Sequence, residues 1–157
     1  MYGALPRKLR RWAVRWLAPS FTVGAIAVIE RADGSVLLVR QAYRARWGVP
    51  GGLLQRRESP GDGVRREVSE EVGLAIELIG EPAVVVDPIP QRVDLVFRAR
   101  PRSEADADAV RPCSPEIDEV RWYPPDALPE LQAETAQALV TLARSSRSPQ
   151  APRLSRE

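Results

Sequence analysis

The chain has 157 residues, 28% of them charged and 44% hydrophobic, enough for one domain with a buried core of its own. A single cysteine, Cys113, and no histidine exclude an internal disulfide, the commoner zinc sites and any histidine-based triad. The net charge of +2 hides an asymmetry: Arg7, Lys8, Arg10, Arg11 and Arg15 make residues 1–15 basic, residues 144–157 are basic again, and the body between them is acidic. Basic charge confined to the ends, without a recognised module, argues against a specific nucleic-acid surface. No stretch reads as a secretory signal and no run approaches membrane-spanning length, so the cytoplasm is the expected compartment.

Leu5, Leu9, Trp12 and Trp16 fall at helical spacing among the basic residues, and Pro19 ends the run. The pattern predicts a basic amphipathic helix over 1–18. Its tryptophans are expected to pack on the body or on a second subunit of a homodimer. The competing expectation is peripheral contact with an anionic membrane surface through residues 5–17. Residues 21–29 are apolar and β-rich, Asp33-Gly34 is a hairpin turn, and residues 36–40 read as the return strand. A polar loop follows over 41–47. Then comes the rigid turn 47–52, where Gly51 and Gly52 open conformations closed to other residues; Trp47 reads as a packing residue.

Ser59 before Pro60 marks a helix start, an N-cap followed by a proline whose missing N–H costs nothing there. Asp62 suits the positive end of the dipole, and Gly73 is the natural left-handed stop. Between them Glu67, Glu70 and Glu71 stand at i, i+3 and i+4, on one face. Each like-charge pair costs about 0.2–0.5 kcal/mol, and anions near a helix C-terminus oppose its dipole. Such a conflict fits either a solvated acidic face or a site for a hard divalent cation, which takes oxygen ligands.

The wider pattern resembles the complete signature of the Nudix hydrolases: Gly52, five residues, Glu58, seven residues, then Arg66-Glu67-Val68-Ser69-Glu70-Glu71-Val72-Gly73-Leu74. No fixed position departs from it. Coincidence of seven fixed residue types is expected on the order of once in 10⁷ to 10⁸ windows, which weighs against the solvated face. A looser resemblance extends from about residue 21 to 142.

Downstream, residues 75–79 and 83–86 read as strand pieces, 87–91 as a stiff loop and 93–99 as a strand. Residues 100–115 read as a surface loop, and 116–123 as a half-buried strand closed by Pro124 and Pro125. Ala127 and Leu128 lead into a helix with Leu131, Thr135, Ala138, Leu139 and Leu142 on one side. The domain is expected over 19–143, with a disordered tail over 144–157. The order of elements predicts an α/β fold, a mixed sheet sandwiched between helices (α/β/α); the Nudix fold is of this kind.

The resemblance implies hydrolysis of a nucleoside diphosphate linked to another moiety, with Mg²⁺ or Mn²⁺ as cofactor and a small-molecule nucleotide as partner. It implies that Glu67, Glu70, Glu71 and the carbonyl of Gly52 hold metal. Arg66 would orient the glutamates, and Glu58 would support them or contact an outer metal. The family often adds a later carboxylate as ligand or general base; Glu116 is the candidate, with Asp118, Glu119 and Glu104 as alternatives. Relatives that cleave ADP-ribose often carry a proline about sixteen residues past the signature, where Pro90 lies, with Pro88 beside it. ADP-ribose or a nucleoside diphosphate sugar is therefore the expected substrate. The alternatives are a nucleoside triphosphate, an oxidised one included, and a Nudix-fold binding module without catalysis, although every metal glutamate is in place.

Overall fold

The computed structural model describes residues 20–145. The helix expected over 1–18 and the expected tail beyond residue 145 lie outside the described residues. The elements run β1 (Thr22–Ile29), β2 (Val36–Gln41), β3 (Gly51–Leu53), α1 (Pro60–Val72), β4 (Ile76–Asp87), β5 (Arg92–Pro101), α2 (Glu104–Asp108), β6 (Ile117–Tyr123) and α3 (Ala133–Ser145). A four-stranded sheet in the order β3-β1-β5-β4 forms the middle layer, mixed because β1 and β5 run parallel while the other pairs are antiparallel. β2 and β6 form a separate antiparallel pair.

One face of the sheet carries Ala25, Ala27, Ile29, Phe97 and Ala99, packed against Val64, Val68 and Val72 of α1. Those three valines stand at i, i+4 and i+8, all 0% exposed, and each contributes about 1.5–3 kcal/mol of burial. The other face presents Val28, Val85 and Val96 to Ala138 and Leu142 of α3. The expected α/β/α sandwich is thus formed. Among the described residues no helix is long and apolar enough to cross a membrane.

The expected hairpin is only half right. Asp33-Gly34 makes the turn, with Gly34 at φ 85° and Asp33 Oδ1 accepting from Ser35 N–H at 2.8 Å. The strand after it does not return along β1: beyond a single bridge between Glu30 and Val36, β2 pairs with β6. The reason is that β3 and β5 already occupy both edges of β1. β2 is instead buried on both faces, with Leu37 and Val39 in the α1-side core and Val36 and Leu38 in the α3-side core.

Other boundaries shift for local reasons. The two pieces expected over 75–86 are one strand, β4, with an irregularity between Ile79 and Ala83 where Gly80 takes φ 68°. The loop expected over 100–115 contains α2, begun by Ser103, whose hydroxyl accepts from Asp106 N–H at 3.1 Å. α3 starts at Ala133 and takes in Arg144 and Ser145, which the sequence pattern assigns to the tail. Ser59 and Gly73 cap α1 as expected, Gly73 at φ 70°.

The tightest approach of a glycine to other backbone, among the described residues, is at Gly51. Its φ is 142°, and a Cβ there would lie 2.4 Å from the Ala25 carbonyl oxygen and 2.6 Å from Ile26 Cα. Backbone cannot yield as a side chain would, so Gly51→Ala is expected to destabilise by about 2–4 kcal/mol, read as a lower urea midpoint at unchanged m-value.

Candidate active site

Four segments meet where β3 begins. The loop 54–58 folds over the first turn of α1, and Gly63 makes room: a Cβ there would lie 2.4 Å from Leu54 Cδ2 and 3.0 Å from Glu58 Oε2. Glu58 is held from both sides. Gln55 N–H donates to its Oε2 at 2.8 Å, and Arg66 donates from Nε to Oε1 at 2.7 Å and from Nη2 to Oε2 at 3.0 Å. These bonds, those of Arg66 foremost, hold the Glu58 carboxyl down at about 2.

Arg66 also gathers the glutamates of its own helix. Its Nη1 donates to Glu67 Oε1 at 2.9 Å and to Glu70 Oε2 at 3.1 Å. The guanidinium pKa is raised, chiefly by the bond to Glu58. Its five donors in a planar fork suit this work, which a lysine's point charge could not divide in the same way.

Glu67 lies across Gly52, since a Cβ on that glycine would meet its carboxylate at 2.5–2.7 Å. Glu71 is buried, with Oε2 accepting from Gly51 N–H at 3.0 Å. Burial pushes its carboxyl up to about 7, against the Gly51 bond, and the charges of Glu67, Glu116 and Glu70 raise it further. Glu116 is anchored by its backbone carbonyl, which accepts from Ala42 N–H at 2.9 Å. Of the competing downstream carboxylates, Glu119 is paired with Arg40 and Arg121 and Glu104 with Arg31, while Asp118 is exposed.

The donor set is all oxygen, and it carries more negative charge than Arg66 alone offsets, which suits a hard divalent cation. Among the described residues no three acidic side chains are already drawn together as a metal cage; Arg66 Nη1 stands between Glu67 and Glu70.

On the α3 side of Gly51 opens a cleft of about 250 Å³, lined among others by Arg44, Pro90, Arg92, Asp94 and Glu134. Asp94 is 8% exposed and accepts from Arg92 Nε at 2.8 and 2.9 Å. Gly24 makes this possible, for a Cβ there would lie 2.2 Å from Asp94 Oδ1; the same point is 3.3 Å from the Gly52 carbonyl oxygen. The cleft therefore reaches the glycine turn from one side as the glutamates reach it from the other. The sequence marks Pro90 but gives no comparable motif for Arg44, Arg92 or Glu134. Asp94 left a signal, a carboxylate at an inward position of the apolar run 93–97.

A three-layer fold with an acidic helix face and a cleft meeting at one glycine turn describes a class of enzymes that manage oxyanions through cations. The NUDIX domain profile matches residues 20–143, and the chain belongs to that family, as a hydrolase. It is 36% identical over 116 residues to a MutT-like protein of Streptomyces ambofaciens, covering 74% of this chain and 72% of that one. It is 33% identical over 134 residues to the human 8-oxo-dGDP phosphatase NUDT18, covering 78% of this chain and 38% of that protein. The crystal structure of an ADP-ribose pyrophosphatase from Streptococcus suis superposes with a TM-score of 0.66 at 27% identity, covering 82% of this chain and 94% of that one. Members of the family act on nucleoside diphosphate derivatives and generally use divalent metals.

The Glu58 pair has a pH consequence. A carboxyl held at about 2 adds stability above the ordinary carboxylate range and loses it as pH falls towards that value. Wild type is therefore expected to lose more stability between about pH 5 and pH 2.5 than Glu58→Gln, measured by urea midpoints in metal-free buffer.

Proposed function

We propose that the chain hydrolyses the diphosphate linkage of a nucleoside diphosphate derivative, with ADP-ribose or a nucleoside diphosphate sugar as substrate. The observation that carries this reading is the glycine turn itself, with the acidic face of α1 on one side and the cleft on the other. Mg²⁺ or Mn²⁺ would be held by Glu67, Glu70, Glu71 and the Gly52 carbonyl, and would neutralise the phosphoryl oxygens and acidify a water.

The chain's own groups do the rest. Arg66, fixed by Glu58, keeps Glu67 and Glu70 on one side of the turn. Gly51 N–H fixes Glu71. Glu116, next to β6, carries a charge that acts on Glu71 and would accept the proton of the attacking water. The guanidinium groups of Arg44 and Arg92 offer donors to the part of the substrate in the cleft. Ile26, Val49 and Val85 supply its apolar walls, and Pro90 a wall with φ fixed. Likeness to the Streptococcus suis enzyme supports the ADP-ribose reading. Likeness to the human 8-oxo-dGDP phosphatase supports the second reading, an oxidised or ordinary nucleoside polyphosphate.

Glu70→Gln and Glu71→Gln each keep the shape and remove a charge, so turnover at saturating Mg²⁺ is expected to fall by about 10²-fold or more, roughly 2.7 kcal/mol of barrier. In chelator at about pH 8, Glu71→Gln should melt higher than wild type, because a buried carboxylate whose pKa is raised carries its full desolvation cost above that pKa. Near wild-type turnover in both variants removes the assignment. Product analysis decides the substrate: ADP-ribose yields AMP and ribose 5-phosphate, whereas a nucleoside triphosphate yields the monophosphate and pyrophosphate.

A further inference from the structure

The sheet face beneath α1 is covered only in part. Val23 of β1, Val93 of β5 and Val86 of β4 stand in one cross-strand row, and Ala25, Leu95 and Val84 in the next. Val23, Val84 and Val86 are 39%, 56% and 53% exposed, and Phe21, just before β1, is 38% exposed. Their neighbours Ala83 and Val85 are buried on the opposite face, against the α3-side core. The exposure is therefore one-sided: apolar residues at alternate positions over three adjacent strands, the pattern of a sheet face that has a layer against it.

An unspent apolar stripe begins next to this face. Residues 1–19 join the described chain at Ser20, and Thr22 N–H donates to the Gln91 carbonyl at 2.9 Å, which sets that entry beside the β4–β5 turn. Phe21 is five residues from Trp16, a reach of about 17 Å when extended. As a helix, residues 5–16 would be about 18 Å long and 10–12 Å across, and three strands span about 10 Å. The segment carries Arg7, Lys8, Arg10, Arg11 and Arg15, while the body is acidic.

We propose that residues 5–16 dock as a helix on this sheet face, with Leu5, Leu9, Trp12 and Trp16 against Phe21, Val23, Val84 and Val86. Pro19 turns the chain between helix and strand, and the basic residues flank the contact or face water. The segment then completes, beside α1, the outer layer that α1 alone leaves short. This holds whether or not the hydrolase reading of the site does.

The test uses the full chain with Cys113→Ser. Ala13→Cys with Val86→Cys puts one thiol on the stripe side of the segment and one on the exposed face; Arg7→Cys with Val86→Cys is the control on the opposite side of the helix. Mild oxidation is expected to close the first pair within one monomer, several-fold faster than the control. Independently, Trp12→Glu/Trp16→Glu and Val84→Glu/Val86→Glu should each lower Tm by several degrees, and their combination should lower it no further, because both break one contact. Both glutamate pairs sit at exposed or terminal positions, so the variants keep the core. Equal oxidation rates, strictly additive Tm losses, or disulfides formed only at dimer mass each overturn the proposal, the last by giving the face to a second copy. Loss of anionic-vesicle binding in Trp12→Glu/Trp16→Glu with Tm unchanged overturns it in favour of a membrane surface.

Discussion

Carboxylates on one helix face stay together only if something positive divides them, and in this chain that is the guanidinium of Arg66. It bonds Glu67 and Glu70 on its own helix and Glu58 on the preceding loop. The loop depends on it as much as the helix does: Glu58 is also the acceptor for Gln55 N–H, so one cation joins the path out of β3 to the middle of α1. Gly63 is required for the same reason, because the loop closes over the place its side chain would take. Replacing Arg66 would loosen the approach to the helix as well as its acidic face.

The layers convert this local arrangement into a site with two sides. α1 lies on one face of the sheet and α3 on the other, and β3, only three residues long, is the point at which both faces are reached. Gly51 gives its N–H to Glu71 on the helix side while its backbone lines the cleft on the other. A side chain at Gly51 would strike the backbone of Ala25 and Ile26, and one at Gly52 the carboxylate of Glu67.

The central helix was fully legible because its signals are local. Ser59, Pro60, Asp62 and Gly73 act on backbone within a few residues of themselves, and the valine spacing of α1 states which face is buried. Strand partners were not legible in that way. Asp33-Gly34 specifies a turn, yet which edge β2 joins depends on β3 and β5 having claimed β1, and no residue near the turn encodes that. The same division runs through the site. Glu67, Glu70 and Glu71 are set by helical period, while Arg44, the Arg92–Asp94 pair and Glu134 come from three distant stretches that meet only in the folded chain. The sequence puts Glu116 first but leaves Asp118, Glu119 and Glu104 open beside it, and what sets Glu119 and Glu104 apart is that an arginine elsewhere has taken the carboxylate.

In the sequence Gly24 reads as one strand residue among several, yet its missing Cβ is what admits the carboxylate of Asp94. The two positions are register partners on parallel strands, so neither is free to drift alone through evolution. A lineage that gains a side chain at 24 must first shorten or lose the acid at 94, and with it the grip on Arg92. Across homologous chains the pair should change together, and the shape of the cleft floor is then inherited as a unit.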